Sequence, residues 1–371
     1  MTDVSQIVPT LDVSRCSEQL FNSFDEANLQ CADIAALSET MGQLTTRLRR
    51  PADEINGFVD ALRASTVPKR PQKMSDFAKE VEYFTSGDSE LDRCLFDGRG
   101  IGTRSITELC GASGVGKSNF LTQLCVGVQL PRLFGGLDKN AIYISTEAGL
   151  ETRRLNEMVR AVREQHAHSP EVTVSAGRVF CITCSDLESQ EHILTYQLVH
   201  AIRTRNVGLV VLDSIASHYR AESGGGQGSA TSRRTIDLLR CEAALRRAAR
   251  AGCAVVVANQ VTDLFGSETS LSPRDYETHG DVFALDMQTR FYSGWKWPDG
   301  DERPKLPAMG QIWASSVDTR LVMRRQGMED DDGQPSSTVG RRTMAVVFSS
   351  RLAPHEATVE IWTGGVRYCQ A

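Results

Sequence analysis

The chain has 371 residues, of which 40% are hydrophobic and 24% are charged, and its formal net charge at pH 7 is −6. These values are typical of a globular protein of one or two domains, and they argue against a generally basic nucleic-acid-binding surface. No apolar stretch approaches the length of a membrane span, and no signal-peptide pattern opens the sequence. With ten scattered cysteines, the simplest expectation is a reduced, intracellular, soluble protein without membrane contact.

Residues 1–66 predict a small all-α domain. Helical patterns run over 25–37 and 51–64, and no residue of this part carries a chemistry that can be named. An adaptor or interaction domain is therefore the best interpretation. Residues 67–83 follow as a linker, because prolines and basic residues near its start favour an extended, exposed segment.

From residue 84 to residue 371 the pattern predicts a single α/β core. Apolar strand candidates alternate with helical patterns, which is typical of a parallel sheet covered by helices. The uninterrupted apolar run at 207–212 predicts a strand buried on both faces. Beyond residue 311 the pattern changes to strands alone. The predicted elements are strands at 105–110, 140–145, 178–183, 207–212 and 254–258, helices at 119–130, 151–166, 188–204 and 232–251, and C-terminal strands at 319–324, 342–349, 357–362 and 366–369.

The segment between the first of these strands and the first of these helices carries a specific motif. Residues 111–118 read Gly-Ala-Ser-Gly-Val-Gly-Lys-Ser, the G-x-x-x-x-G-K-S pattern of a phosphate-binding P-loop. Its glycines allow close backbone approach, so that N–H groups at a helix N-terminus can point at phosphate oxygens. Lys117 is expected to reach the β- and γ-phosphates, and the Ser118 hydroxyl to ligate Mg²⁺. The candidate nucleotide-binding residues are Gly111, Ala112, Ser113, Gly114, Val115, Gly116, Lys117, Ser118 and the following Asn119.

Three further segments with polar residues at strand ends fit a nucleotide site. Asp213 ends the apolar run at 207–212, and such an aspartate helps to hold Mg²⁺ in P-loop NTPases. Glu147 follows the strand after the P-loop helix, where it can position an attacking water as general base or simply cap the next helix. The amides of Asn259 and Gln260 follow another buried strand, where they can sense the γ-phosphate or satisfy loop backbone.

The order of these motifs resembles that of the eukaryotic RecA-type recombinases and their paralogs, closely over 84–262 and more loosely over 307–369. The resemblance is carried by Ser-Gly-Asp-Ser-Glu-Leu-Asp at 86–92, Ile-Thr-Glu-Leu-Cys-Gly at 106–111, Tyr-Ile-Ser-Thr-Glu at 143–147, Leu-Asp-Ser-Ile-Ala at 212–216 and Val-Ala-Asn-Gln-Val at 257–261. The Thr-Glu-Ala-Gly-Leu-Glu-Thr-Arg-Arg-Leu and Val-Gln-Leu-Pro segments are most similar to the non-catalytic paralogs. The fold implied is a RecA-like P-loop NTPase core with a mainly parallel sheet and C-terminal antiparallel strands, preceded by the small all-α domain.

The resemblance implies ATP and Mg²⁺ as ligands and assigns roles around them. The roles are phosphate contact and catalysis for Lys117, catalysis for Glu147, metal binding for Ser118 and Asp213, adenine stacking for Arg154, and coupling of the ATP state to a DNA loop for Gln260. A planar guanidinium suits stacking on a base. Arg153, next to Arg154, leaves the register of that contact open.

Two segments are candidates for DNA binding. Tyr219 and Arg220 match the start of the family's first DNA-contacting loop, and the glycine-rich residues after them can lie along a phosphate backbone or merely connect two elements. The family's second DNA loop corresponds here to a long stretch at 262–309. Its mixed aromatic and basic residues can stack on single-stranded bases or bury against a protein partner.

The linker bears on self-assembly. Catalytic members of the family carry a Phe-x-x-Ala segment there that docks on the neighbouring subunit, whereas 65–83 contains none, since Phe77 and Ala78 are adjacent. The resemblance therefore implies a nuclear recombination mediator and weak DNA-dependent ATPase that pairs with another paralog as a heterodimer. It would assist the main recombinase on single-stranded DNA. The alternatives are a self-polymerising strand-exchange enzyme and an interaction scaffold in which ATP is a structural ligand.

Overall fold

The structure is a computed structural model that divides into two compact units, Met1–Glu80 and Val81–Ala371. The residues it describes are Gln19, Leu20, Ser23, Glu26, Ala27, 40–66, 81–147, 149–221, 229–263, 305–326 and 340–370. The helix predicted at 25–37, most of the linker and most of the long loop at 262–309 lie outside these residues. Within the described ranges, no helix combines the length and the apolar character that crossing a bilayer requires.

Two helices of the first unit are described, α1 (Met41–Leu48) and α2 (Ala52–Thr66). The second confirms the helix predicted at 51–64. Ile55 and Phe58 lie one turn apart on α2 and are fully buried, as expected for an amphipathic helix whose apolar face packs against its own unit.

The second unit contains the elements that form the candidate site. Its strands are β1 (Tyr83–Phe84), β2 (Ile101–Gly102), β3 (Ser105–Gly111), β4 (Asn140–Ser145), β5 (Val179–Thr183), β6 (Val207–Asp213), β7 (Ala254–Asp263), β8 (Lys305–Pro307), β9 (Thr319–Arg325), β10 (Arg341–Ser349), β11 (His355–Trp362) and β12 (Gly365–Tyr368). Its α-helices are α3 (Ser89–Leu95), α4 (Lys117–Gly127), α5 (Thr152–Gln165), α6 (Leu187–His192), α7 (Leu198–Thr204), α8 (Ala216–Ala221), α9 (Ser229–Arg250) and α10 (Gly310–Ser315).

The main sheet has the strand order β12-β11-β10-β9-β3-β7-β6-β4-β5, and β8 pairs with the end of β7. Strands β3, β7, β6, β4 and β5 run parallel, and β9 is parallel to β3. From β9 to β12 the pairing is antiparallel. The mainly parallel sheet with C-terminal antiparallel strands is therefore confirmed.

Both faces of β6 are buried, which explains its uninterrupted apolar run. Leu209 and Val211 belong to the core under α4, whereas Val210 and Leu212 belong to the core under α9. Successive side chains of a strand point to opposite faces, so a strand between two helical layers needs apolar residues at every position.

Two elements differ from their predicted form. Strand β7 continues to Asp263 instead of ending at residue 258, because its last residues pair with β8. Asn259 and Gln260 therefore lie inside a strand, with side chains on opposite faces. The helix predicted at 188–204 contains a π-helical turn, Ile193–Gln197, between α6 and α7. Such turns recur at functional sites of proteins.

A fully buried ion pair lies in the sheet on the side away from α4. Arg320 Nε on β9 donates to Glu108 Oε2 on β3 at 2.5 Å, and the two side chains are 1% and 0% exposed. The other carboxylate oxygen accepts from Asn259 Nδ2 at 2.7 Å and from Trp313 Nε1 at 2.8 Å. Each oxygen of Glu108 thus has a donor, which is the condition under which a protein interior tolerates a charge.

Candidate nucleotide-binding site

The P-loop joins the end of β3 to the start of α4, which is the strand–loop–helix arrangement that its chemistry requires. Gly116 has φ +112°, and a Cβ there would lie 2.4 Å from Ile361 Cδ1. A Cβ on Gly111 would lie 2.5 Å from the carbonyl oxygen of Met323. A side chain at Gly111 would collide with backbone, and a side chain at Gly116 would be strained by the positive φ, so the fold itself explains both glycines of the G-x-x-x-x-G-K-S pattern.

Lys117 folds back over this loop. It is only 8% exposed, and its Nζ donates to the carbonyl oxygens of Gly111 at 2.8 Å and Ala112 at 2.9 Å. Ser118, one residue further, is exposed at the first turn of α4. An ammonium beside an exposed helix N-terminus is a favourable environment for phosphate oxygens, because the N-terminal end of the helix dipole is positive, like the lysine.

A buried tyrosine contacts one of the two residues predicted to hold Mg²⁺. The Tyr143 hydroxyl on β4 donates to Asp213 Oδ2 at 2.5 Å. Burial, and then the negative charge of Asp213, raise the pKa of Tyr143 well above its usual value, so its phenol stays protonated. The sequence contained no signal for this contact, because it depends on the register of β4 beside β6.

The donor set suits a magnesium ion that binds together with a nucleotide. Within the described ranges, no group of three or more His, Cys, Asp or Glu side chains could hold a metal. Magnesium in nucleotide sites is usually held by one or two protein oxygens, phosphate oxygens and water. The Ser118 hydroxyl and the Asp213 carboxylate are oxygen donors of the kind that this arrangement uses.

Side chains from the carboxyl-terminal parts of three neighbouring strands meet at one edge of the sheet, and two of them, Glu147 and Gln260, were predicted near the γ-phosphate. Glu147 follows β4, and its Oε1 accepts from Gln260 Nε2 on β7 at 2.8 Å. The same oxygen accepts from the Ser214 hydroxyl, which follows β6, at 3.1 Å. The carboxyl ends of β4, β6 and β7 lie together because these strands are parallel neighbours. Glu147 is exposed and oriented by two donors, the geometry expected of a group that positions a water.

Asn259 and Gln260 have separate environments, although the sequence predicted them as one unit. Asn259 is fully buried and contacts Glu108 and the Ala308 carbonyl oxygen, the latter at 2.8 Å. Gln260 faces the open edge and Glu147. Only Gln260 is therefore placed to contact a ligand.

Arg154 lies between α4 and the turn that follows β11. Its Nε donates to Asn119 Oδ1 at 2.7 Å, and its Nη1 donates to the Thr363 carbonyl oxygen at 2.6 Å. The neighbouring Arg153 side chain is 85% exposed and pairs with Glu157. The structure thus turns Arg154, not Arg153, toward the P-loop helix, and adenine stacking by Arg154 stays a prediction.

The structure places Tyr219 differently from the predicted DNA contact. Tyr219 lies on α8, is 0% exposed, and donates its hydroxyl to the Asp237 carbonyl oxygen at 3.2 Å. A ring held in the core under α9 offers no surface to a DNA backbone, because its neighbours already cover it. The Arg220 side chain, residues 222–228 and residues 264–304 lie outside the described part of the chain, so their predicted DNA contacts stay predictions.

Comparison with known proteins agrees with this architecture. A family model described as Rad51 matches residues 78–303, which is more than half of the chain. The DNA repair protein rhp57 of Schizosaccharomyces pombe is 37% identical over 364 residues, covering 95% of this chain and 96% of that protein.

Two further relatives match over shorter lengths. The DNA repair protein RAD57 of Saccharomyces cerevisiae is 34% identical over 219 residues, covering 58% of this chain and 45% of that protein. The DNA repair protein XRCC3 of Mus musculus is 28% identical over 302 residues, covering 80% of this chain and 78% of that protein. The chain therefore belongs to the Rad51 family and, by the extent of its match to rhp57, is similar to the fungal Rad57-like paralogs.

Proposed function

We propose that this protein is an ATP-binding recombination mediator. It assists the assembly or stability of a recombinase filament on single-stranded DNA, in homologous recombination and double-strand-break repair in the nucleus. The observation that carries the proposal is the meeting of Glu147, Gln260 and the P-loop at one sheet edge in a Rad51-family chain. The relatives named as DNA repair proteins support the cellular role.

The residues around the P-loop fit ATP with Mg²⁺. Gly111–Ser118 provides the backbone cradle, Lys117 an ammonium for the β- and γ-phosphates, and Ser118 with Asp213 the oxygens for the metal. The metal, when bound, would neutralise charge on the phosphates. The Glu147 carboxylate would lie beside the attacking water and accept its proton. Arg154 would contact the adenine.

Partnership with another paralog is supported by an open sheet edge. Strand β5 (Val179–Thr183) ends the described sheet, and Cys181 on it is exposed. Tyr196, in the π-helical turn, is also 66% exposed. A strand edge that is unpaired within the described residues is a ready surface for an added strand from another protein. The sequence of 65–83 offers no Phe-x-x-Ala with which a second copy could dock.

Light scattering after size-exclusion chromatography separates the mediator from the self-polymerising alternative. With MgATP and single-stranded DNA, we expect the purified chain to stay a small oligomer, because it lacks the segment that would link copies into a filament. Addition of a partner paralog should produce a stable heterodimer. Long filaments of the chain alone would contradict the mediator and favour the strand-exchange enzyme.

Substitution of Glu147 tests whether the site turns ATP over. In Glu147→Gln we expect ATP hydrolysis to fall about 100-fold or more, since an amide cannot accept the proton. The affinity for MgATP should change little, because the amide keeps the size of the side chain. Glu151→Gln, an exposed acid four residues away, is the matched control and should hydrolyse ATP as the unmodified chain does. Undiminished hydrolysis in Glu147→Gln would remove the residue from the mechanism.

A further inference from the structure

Two arginines that the sequence predictions did not include contact the backbone of the P-loop. Arg325 Nη2 donates to the Gly114 carbonyl oxygen at 3.1 Å. Arg342 Nε donates to the Val115 carbonyl oxygen at 2.8 Å. The loop is thus held from β9 and from β10 as well as by the strand and helix that it connects.

The two arginines are register partners in the antiparallel pair of β9 and β10. Side chains directly opposite each other in such a pair share a face, and like charges in that position repel. Burial, and then the positive charge of Arg325, lower the pKa of Arg342. The fold therefore keeps two guanidinium groups together despite their mutual repulsion. They lie beside a loop whose sequence motif is typical of phosphate binding.

The contacts fix the direction of two peptide units. In a trans peptide the C=O and the following N–H point to opposite sides. With the Gly114 and Val115 carbonyls turned toward the arginines, the N–H groups of Val115 and Gly116 are turned away from them. The Val115 N–H makes a contact of 3.4 Å with the Ala112 carbonyl oxygen, which is beyond the usual hydrogen-bond range and leaves it open to a stronger acceptor.

A guanidinium on a carbonyl also polarises the peptide unit. The electron density drawn toward the oxygen makes the N–H on the same unit a better donor, as in other hydrogen-bonded chains. Cations bound on one side of the loop therefore strengthen anion binding on the other side. The positive charge of the pair acts in the same direction over a short distance.

We propose that Arg325 and Arg342 form a clamp that holds the P-loop with the Val115 and Gly116 N–H groups directed at the phosphate chain of a bound nucleotide. They are positioning residues, since they act through the loop backbone. This inference rests on the proposed function, because it assumes that the P-loop binds ATP.

Titration calorimetry with MgATP and MgADP tests the clamp. We expect Arg342→Gln to lower the affinity for both nucleotides about tenfold, because a hydrogen bond from a charged group is lost together with its charge. Arg325→Gln should have a smaller effect, and the double variant the largest. Arg342→Lys, which keeps the charge, should recover part of the loss. Arg341→Gln is the matched control, because Arg341 immediately precedes Arg342 in β10 and points to the opposite face.

The possible negative results distinguish a failure of the proposed function from a failure of the clamp. If the unmodified chain binds neither nucleotide, the proposed function fails. If it binds both and Arg342→Gln binds them equally well, the clamp is wrong. The clamp is also wrong if the ligand-free variant unfolds at a clearly lower temperature than the control, since the role would then be structural. Unchanged nucleotide affinity with a loss of single-stranded DNA binding would overturn it in favour of a nucleic-acid contact.

Discussion

Replacing Arg320 with leucine should lower the free energy of unfolding of the second unit by about 3–5 kcal/mol, because an unpaired charge is then left in the protein interior. Glu108 is 0% exposed and would keep the Asn259 and Trp313 donors, which are neutral. Arg320 would also give up its position over the Phe348 ring, whose centroid lies 4.9 Å from the guanidinium carbon. Denaturant unfolding followed by far-UV circular dichroism measures the change.

A surface arginine provides the comparison for this prediction. Arg93 pairs with Glu90 in α3, but the two side chains are 68% and 52% exposed. Arg93→Leu should cost less than about 1 kcal/mol, as exposed pairs do. Adding Glu108→Gln to Arg320→Leu should restore part of the lost free energy of unfolding, because the neutral amide no longer needs a cation. A loss below about 1 kcal/mol in Arg320→Leu would show that the buried pair contributes little.

Lys117→Ala should remove most of the stabilisation that MgATP gives to the protein. A ligand at 100 times its dissociation constant stabilises a folded protein by about 2.7 kcal/mol, so the unmodified chain should melt at a higher temperature with MgATP than without it. Without the ammonium the phosphates lose their main cationic contact, and we expect the affinity to fall by about two orders of magnitude, which leaves about 0.4 kcal/mol of this stabilisation. Thermal unfolding with and without MgATP measures both effects.

Lys139→Ala is the control for the lysine substitution. Lys139 precedes β4 and pairs with Glu82 at 3.1 Å, so it lies at the sheet edge opposite the P-loop. It should keep the full response to MgATP. An equal response in Lys117→Ala would contradict the nucleotide site. If Lys117→Ala loses ATP but keeps both partner binding and repair activity, the P-loop has no part in the function.

Local patterns were sufficient to predict the P-loop, the buried strand β6 and the strand-end residues Glu147 and Asp213. A glycine motif, an apolar run and a carboxylate at its end are properties of adjacent residues, and parallel strands bring their carboxyl ends together. The α/β class with a parallel sheet followed from the alternation of strands and helices, whereas the RecA-like core was implied by the family resemblance. These predictions needed no information about which distant residues meet.

The failures involve contacts between distant strands. Tyr219 looked like the start of a surface loop, but α8 turns its ring into the core under α9. The residue pattern alone did not separate Asn259 from Gln260, which the family resemblance had selected, whereas β7 places the two on opposite faces. Arg325 and Arg342 reach the P-loop because β9 and β10 pair in one register. Register and helix orientation depend on packing across the whole sheet, which single-sequence periodicity does not contain.

The pairing of β7 with β8 bears on the backbone that carries Gln260. Asp263 and Lys305 are register partners, and Ala308 donates its N–H to the Gln260 carbonyl oxygen at 2.8 Å. Gln260 is also the register partner of Gly111, the first residue of the P-loop. The backbone of Gln260 is therefore fixed both by β8 and by the strand that leads into the P-loop, which keeps its side chain directed at Glu147.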